Sequence, residues 1–486
     1  MKLAMTLAAA LVGLTLTGTA NADDPRIHIA HLQPPRSGLN PLSDDAFKLS
    51  RWSMAETLIR LNADGEPQPF LATAWSRVDD LSWRFVIRKG VKFHDGTVLT
   101  PARVAAALAF ADKAVPKPRI LNGVKLTTEV DGDAVIVRTA VADPLLPNRL
   151  SSPQLAILAE RAYQADGTVV PTSAGTGPFE LKVIDGVTSA RLDRFDGYWG
   201  ERAKLAGIDA DYVGDGTARG AALRTGTADI VEAVPVSQAA LIDPSKIHEV
   251  PMPRTNTLYV NSKKGPLADP ALRAAVREAV DPAAIVRTVY EGRADEARGL
   301  LGPALPWADG LRKPVKHVAA KTPKGEKITI GTFTDRAELP EVAVLVAQAL
   351  TKAGFTVEQD VREYAHIEAD ALAGAFDIFI LSRATVLDSG DPVAYMVADF
   401  SCKGSFNIGQ LCDPAVDAAL DKAAASAPGP ERRQAIIDAE AAILATDGAI
   451  PLLHERVMQG EQQGVAHAER DPRERRLVTE FTTLTK

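Results

Sequence analysis

The segment from Lys327 to Asp360 constrains the fold more than any other stretch of the chain. A β-branched and aromatic run, Lys327 to Phe333, is followed by apolar positions at helical spacing from Pro340 to Ala353, a stop at Gly354, and a second run from Phe355 to Asp360. A strand, a helix and a strand in that order predict parallel pairing, because the crossover helix carries the chain back to the same end of the sheet. Parallel sheets are covered on both faces, so this part of the chain is expected to form an α/β lobe.

Elsewhere the signals are different. Thr100-Pro101, Asp269-Pro270, Asp281-Pro282 and Asp413-Pro414 each set a capping side chain before a proline whose missing N–H costs nothing in a first helical turn. They predict helices to about Lys113, to Val280, to just before Gly292 and to near Ala425. A further helix is expected from Pro430 to Thr446, stopped by Asp447-Gly448. Trp83 to Arg88, Val135 to Thr139 and Phe376 to Leu381 read as strands, and 74–93 and 125–142 as hairpin material. The chain is therefore expected to be mixed α/β, with an α/β lobe after about residue 260. No repeat or low-complexity linker separates its parts, so the lobes should pack together.

The N-terminus reads as a secretory signal. Lys2 precedes an apolar run from Leu3 to Leu16, and Ala20-Asn21-Ala22 is a small-x-small cleavage site, predicting a chain that starts at Asp23. The run is shorter than the roughly twenty apolar residues a spanning helix needs. No Cys follows it to carry a lipid, and no later stretch is long and apolar enough to span. With 46% hydrophobic and 24% charged residues the chain is globular, and its length allows two or three domains. A net charge of −7 without a polybasic run argues against a nucleic-acid partner. Cys402 and Cys412 are the two cysteines, and export favours a disulfide between them, which would contribute roughly 2.5–3 kcal/mol by loop entropy. Two free thiols or a metal pair are the other readings.

A search for catalytic chemistry mostly fails. His454-Glu455 has Met458 where a zinc-protease motif needs its second histidine. There is no Gly-x-Ser-x-Gly elbow and no Gly-Lys-Ser/Thr loop. Gly175-Thr176-Gly177 and Gly214-Asp215-Gly216 lack the third glycine of a dinucleotide loop, and Pro178 stands where N–H groups would be needed, so turns are the better reading. His28 and His31 lie on an expected N-terminal strand at an odd separation, hence on opposite faces. His94 is expected to flank a tight turn. These failures point away from an enzyme and away from a metal or cofactor.

Several motifs in order then resemble one family. Asp64-Gly65-Glu66-Pro67, Leu71-Ala72-Thr73-Ala74-Trp75, Trp83 to Arg88, Val91-Lys92-Phe93-His94-Asp95-Gly96 and Leu99-Thr100 are similar to the N-terminal signature of the family 5 extracellular solute-binding proteins. Gly175-Thr176-Gly177-Pro178-Phe179, Phe195-Asp196-Gly197-Tyr198-Trp199-Gly200, Asn261, Asp269 to Val280, Gly302-Pro303 and Gly390-Asp391-Pro392 continue the resemblance over essentially the whole exported chain. The family comprises the peptide- and nickel-binding components of ABC importers. The resemblance implies a two-lobed clamp of mixed α/β fold (type II, cluster C) that shuts on a small solute in the periplasm and delivers it, as a monomer, to membrane permease subunits. It implies one lobe built from 23–50, 176–261 and 456–486, a subdomain of 51–175 inserted in it, and a second lobe of 262–455, after the signal of 1–22.

For the ligand, the resemblance to peptide binders makes Asp388 the expected partner of an α-amino group, with Asp391 beside it. Pro340-Glu341 stand where dipeptide binders carry arginines, so Arg383 or Arg336 is the candidate for a ligand carboxylate through bidentate geometry. Arg383 as a cap on a strand end remains open. Trp52 is a candidate for lining the cleft, with core packing as the other reading; Tyr198 and Trp199 are expected in the core. A di- or oligopeptide is the expected solute. A nickel chelate or metallophore, or an exported enzyme or sensor on the same fold, is the alternative.

Overall fold

The computed structural model describes residues 24–336, 338–386 and 389–485; the expected signal, 1–22, lies outside them. Four of the predicted helices form where capping side chains announce them. Thr100 accepts from the Arg103 amide at the head of Pro101–Lys113, and Asp269, Asp281 and Asp413 accept at the heads of Pro270–Ala279, Pro282–Thr288 and Pro414–Ala425. The helix Glu338–Ala353 begins ahead of Pro340, because proline is tolerated throughout the first turn and does not fix the first residue. It buries Val342, Val346 and Leu350 beside the parallel pair Lys327–Phe333 and Thr356–Arg362, in which Lys327 lies opposite Thr356.

Among the described residues, one sheet of eleven strands runs through the molecule. At its centre two long strands, Ile247–Val260 and Ala449–Glu461, pair antiparallel. The first pairs onward with Ile378–Ala384, which leads to Lys327–Phe333 and Thr356–Arg362. The second pairs onward with Ile230–Val231, and Arg26–His31, Gly207–Tyr212, Ser189–Arg194 and Phe179–Asp185 follow.

The cores are separate. One gathers buried residues between Leu258 and Leu453; a second gathers residues between Ile27 and Ile230 together with Leu477, Val478 and Leu484, so the chain's end returns to the first lobe; a smaller third gathers Ala30, Leu223, Val231, Val234 and Met458. Two lobes thus share two long strands. A four-stranded antiparallel sheet, built from Ala72–Asp79, Ser82–Ile87, Leu126–Asp131 and Ala134–Thr139, stands apart from the large sheet and carries the helix Pro101–Lys113.

On the strand Arg26–His31, His31 is buried and His28 faces solvent, as an odd separation requires. His94 precedes a turn closed by the Gly96 amide on the Phe93 carbonyl. Cys402 and Cys412 form a disulfide. Asp215 caps the helix Gly216–Thr225. A Cβ on Gly175 or Gly177 would run into the carbonyl oxygen of Met54 or Ser53, so that motif is a close backbone crossing. Among the described residues no helix is long and apolar enough to cross a membrane.

Candidate functional site

The strands shared by the lobes are interrupted where they pass between them. Their register breaks between Pro251 and Thr255, and prolines 251 and 253 withhold ladder donors there. Thr385 secures this stretch, donating both its amide (2.8 Å) and its hydroxyl (3.1 Å) to the Pro253 carbonyl. The Thr255 hydroxyl donates to the Leu300 carbonyl at 2.8 Å, which spends its single hydrogen. His454 must therefore donate from Nδ1 to that hydroxyl oxygen, 2.9 Å away. Burial lowers the His454 pKa to about 4, leaving the ring neutral.

Charged groups collect beside this break. Arg254 donates from Nε to Glu474 Oε1 at 3.3 Å, and Arg336 from Nη1 to Glu455 Oε2 at 2.9 Å. Glu474 belongs to the C-terminal segment bound to the first lobe: Arg473 donates to the Asn62 and Ala63 carbonyls, and Arg475 to the Ser151 carbonyl at 3.0 Å. Arg254–Glu474 therefore ties the C-terminal segment to the strand that passes between the lobes. Burial pulls the Arg254 pKa below its usual range, against Glu474 and with the help of Arg336. Each guanidinium spends one nitrogen on a carboxylate, with 19% and 35% of the two side chains open to solvent. On the same pleat face as Arg254, Asn256 is fully buried and gives Nδ2 to the Tyr290 hydroxyl. Its Oδ1, and the hydroxyl of Ser382 directly across the ladder, have no partner among the described residues.

A second set of contacts joins the lobes. Gly65 and Gly390, at φ 80° and 71°, bring their backbones together so closely that a Cβ on Gly65 would sit 3.2 Å from the Gly390 oxygen. Asn148 donates Nδ2 to the carbonyls of Gly65 (3.0 Å) and Ser389 (3.2 Å), and Glu66 pairs with Arg433 at 3.2 Å.

The residues singled out from the sequence occupy varied places. Asp388 lies outside the described residues. Asp391 receives two hydrogen bonds from Arg432, at 2.8 and 3.0 Å, inside the second lobe. Arg383 makes a two-pronged bond to fully buried Asp399, at 2.9 and 2.8 Å, and stacks on Phe406 with 4.2 Å to the ring centre. Trp52 is completely buried in the first core and donates its indole N–H to His31 Nε2 at 2.9 Å. That bond fixes the proton on His31 Nδ1, which faces Glu232 at 3.2 Å. Burial alone would raise Glu232, but Arg51 and the donors around it hold it well below the usual carboxylate range. Arg336 stands at the junction of the lobes beside Arg254.

Arg254, Glu455 and Glu474 were not singled out from the sequence. The Pro-x-Pro spacing around Met252 marks a broken strand next to Arg254, and is the one local signal that could have found it. Glu56 was missed as well. It is 3% exposed and accepts from the Thr176 hydroxyl (2.7 Å), the Tyr198 hydroxyl (2.9 Å) and the Trp199 indole (2.8 Å). Two of the family-like motifs thus converge on one carboxylate, which burial raises to about 7 against those three donors. Tyr198 and Trp199 are half-buried around it.

Two cavities of about 640 Å³ lie within the second lobe, one beside the disulfide and one beneath 312–317. In the second, Arg312 is engaged by Glu440 and Arg277 by Asp447. Neither cavity is lined by the junction residues.

Against known proteins, the model of bacterial extracellular solute-binding proteins, family 5 Middle, matches residues 66–407. The glutathione-binding protein GsiB of Escherichia coli O1:K1 / APEC is 26% identical over 323 residues, 63% of this chain and 63% of that protein. The chain therefore matches that relative over less than two thirds of its length. NikA from Brucella suis, solved in complex with Fe(III)-EDTA, aligns with a TM-score of 0.83 at 22% identity, covering 95% of this chain and 100% of that one. The ABC transporter-associated periplasmic binding protein DppA from Helicobacter pylori, in complex with peptide STSA, aligns at 0.76 with 20% identity, covering 95% and 98%. These likenesses carry the two-lobed fold.

Proposed function

The chain belongs to the family 5 bacterial extracellular solute-binding proteins, and from that premise we propose that it captures a di- or oligopeptide between its lobes and delivers it to the membrane permease subunits of an ABC importer. The observation that carries this reading is the junction of the lobes, where Arg254 and Arg336 keep unspent donors beside Glu455 and Glu474. Closing two lobes on a guest removes it from water and lets the permease distinguish loaded from empty protein, through the guest's differential affinity for the closed form. The division into 23–50, 176–261 and 456–486, an inserted 51–175 and a second lobe of 262–455 belongs to the same proposal; the separate cores support two lobes, with Leu258, Tyr259 and Val260 packed in the second. So do binding rather than catalysis, a monomeric state and a periplasmic site reached by cleavage after Ala22; the names of the relatives support binding and a periplasmic site. Asp388 is the proposed anchor of the peptide's amino group.

A nickel chelate is the second reading, favoured by the likeness to NikA. Among the described residues no group of three or more His, Cys, Asp or Glu could hold a bare ion, so such a guest would be read through its chelator's carboxylates. Thermal shift of the exported chain against peptide pools and against nickel with histidine separates the two. Native mass spectrometry of protein purified without refolding then identifies retained guest. A shift with neither, and no retained mass, would sink the importer reading.

A further inference from the structure

We propose that Glu474 is a built-in stand-in for the guest: it holds on Arg254 the place of a peptide's C-terminal carboxylate, and the bound peptide displaces it. The inference rests on the peptide reading above and adds which group of the peptide is recognised and what competes with it.

The Arg254–Glu474 pair is loose. Its one hydrogen bond, from Nε at 3.3 Å, is longer than the roughly 2.7–2.9 Å of a well-formed charge-assisted bond. A guanidinium presents a fork that a planar carboxylate can engage with both oxygens, and among the described residues Arg254 leaves both Nη nitrogens unused. Three arginines of the second lobe are spent: Arg383 holds Asp399 by two bonds, Arg312 holds Glu440 by two, and Arg432 holds Asp391 by two. Arg254 and Arg336 stand out for open donors at the lobe boundary.

Glu474 is presented by its loop rather than held by its own packing. Asp471 accepts from the amides of Arg473 (2.9 Å) and Arg475 (3.2 Å), and the guanidinium groups of those two residues pin the loop to the first lobe on either side. Between them Glu474 adopts φ 56°, a left-handed backbone that a residue with a Cβ keeps only where its surroundings impose it. The outcome is a carboxylate of the first lobe's C-terminal segment aimed at an arginine on the strand that passes between the lobes. Beneath, the unpartnered Asn256 Oδ1 and Ser382 hydroxyl show that the described residues do not by themselves complete the polar chemistry of this face. A peptide carboxylate arriving there would replace a single long bond by a two-pronged one, with Arg336 alongside, and would free Glu474 to solvent.

The test is isothermal titration of the exported chain with an equimolar pool of di-, tri- and tetrapeptides, once with free C-termini and once as C-terminal amides. Wild type is expected to bind the free acids at least about tenfold more tightly than the amides, the scale of one charge-assisted bond. Glu474→Gln, which removes the competitor, is expected to tighten free-acid binding about three- to tenfold on the same scale and to leave amide binding unchanged. Arg254→Gln is expected to bring acids and amides to one affinity, and Arg254→Lys to restore part of the preference. Unliganded melting curves check that each variant is folded. Equal affinity for acids and amides in wild type, or unchanged or weaker acid binding in Glu474→Gln, overturns the inference while the peptide reading stands. Absence of binding by both pools to wild type, with binding of nickel and histidine, overturns both.

Discussion

Arg432 grips Asp391 with two nitrogens, at 2.8 and 3.0 Å, immediately after the glycine whose backbone meets Gly65 of the opposite lobe. The guanidinium is 3% exposed and also donates to the carbonyls of Ala423, Ala424 and Ser426. The pair thereby ties the contact loop to the helix Pro430–Ala445. Arg432→Ala leaves a carboxylate that is mostly buried without its cation and is expected to cost about 3 kcal/mol or more. Asp391→Asn is expected to cost less, since Arg432 keeps its three carbonyls. Urea unfolding of the two variants measures the difference, and equal losses would refute the asymmetry.

Arg383, by the same geometry, serves the second lobe. Its two bonds to Asp399, which also accepts from the Tyr259 hydroxyl at 2.8 Å, leave little of its fork for a guest. Arg383→Lys retains the charge and loses the fork. The unfolding midpoint is expected to fall while peptide affinity stays within about threefold, a change smaller than one hydrogen bond. A large loss of affinity with an unchanged midpoint would restore Arg383 as a ligand residue.

Glu56 makes stability depend on pH. Its pKa is raised in the folded chain from 4.5 to about 7, chiefly by burial, so the folded state binds the proton more tightly than the unfolded one. Its contribution is fully present below about pH 4.5 and is lost as pH rises to about 7, by about 3 kcal/mol at most. Glu56→Gln can still accept from Thr176 and Trp199 through its carbonyl oxygen and donate to Tyr198 through its amide. It is expected to flatten the stability profile between pH 4.5 and 7 and to stabilise the protein at pH 8. A variant profile parallel to wild type would show that Glu56 does not titrate in that window.

Gly65 and Gly390 set how closely the lobes approach. A valine at position 65 would press on the Gly390 carbonyl and would have to keep φ 80°, so Gly65→Val is expected to wedge the lobes apart. Small-angle scattering should report a larger radius of gyration, and peptide affinity should fall about tenfold or more, the scale of one charge-assisted hydrogen bond that closure no longer makes. Unchanged scattering together with unchanged affinity would mean that closure does not pass through the Gly65–Gly390 approach.

The proline-started helices and the crossover unit were readable because their causes are local, whereas the two long central strands, Ile247–Val260 and Ala449–Glu461, were not anticipated. Asp269, Asp281 and Asp413 cap their own helices within two or three residues, and the crossover unit announces itself by a change of apolar period from two to near four. The disulfide was the favoured reading because the expected export puts both cysteines in an oxidising compartment. Motifs legible as a family signature were harder to interpret: Thr176, Tyr198 and Trp199 are far apart in sequence from Glu56, and nothing around Glu56 announces that they meet there. Arg383 and Asp391 looked available because their partners, Asp399 and Arg432, are assigned by packing between helices and strands.

Chain order alone was enough to define the proline-started helices and the parallel unit, since each follows from backbone preferences and apolar spacing acting over a few residues, and the family was legible through a resemblance of motifs in order. Which charges are spent and which remain open was settled by packing in three dimensions. The guanidinium of Arg254 and the carboxylate of Glu474 become neighbours only once the last segment of the chain folds back on the first lobe. Their interaction depends on a separation in space, which the number of residues between them does not encode.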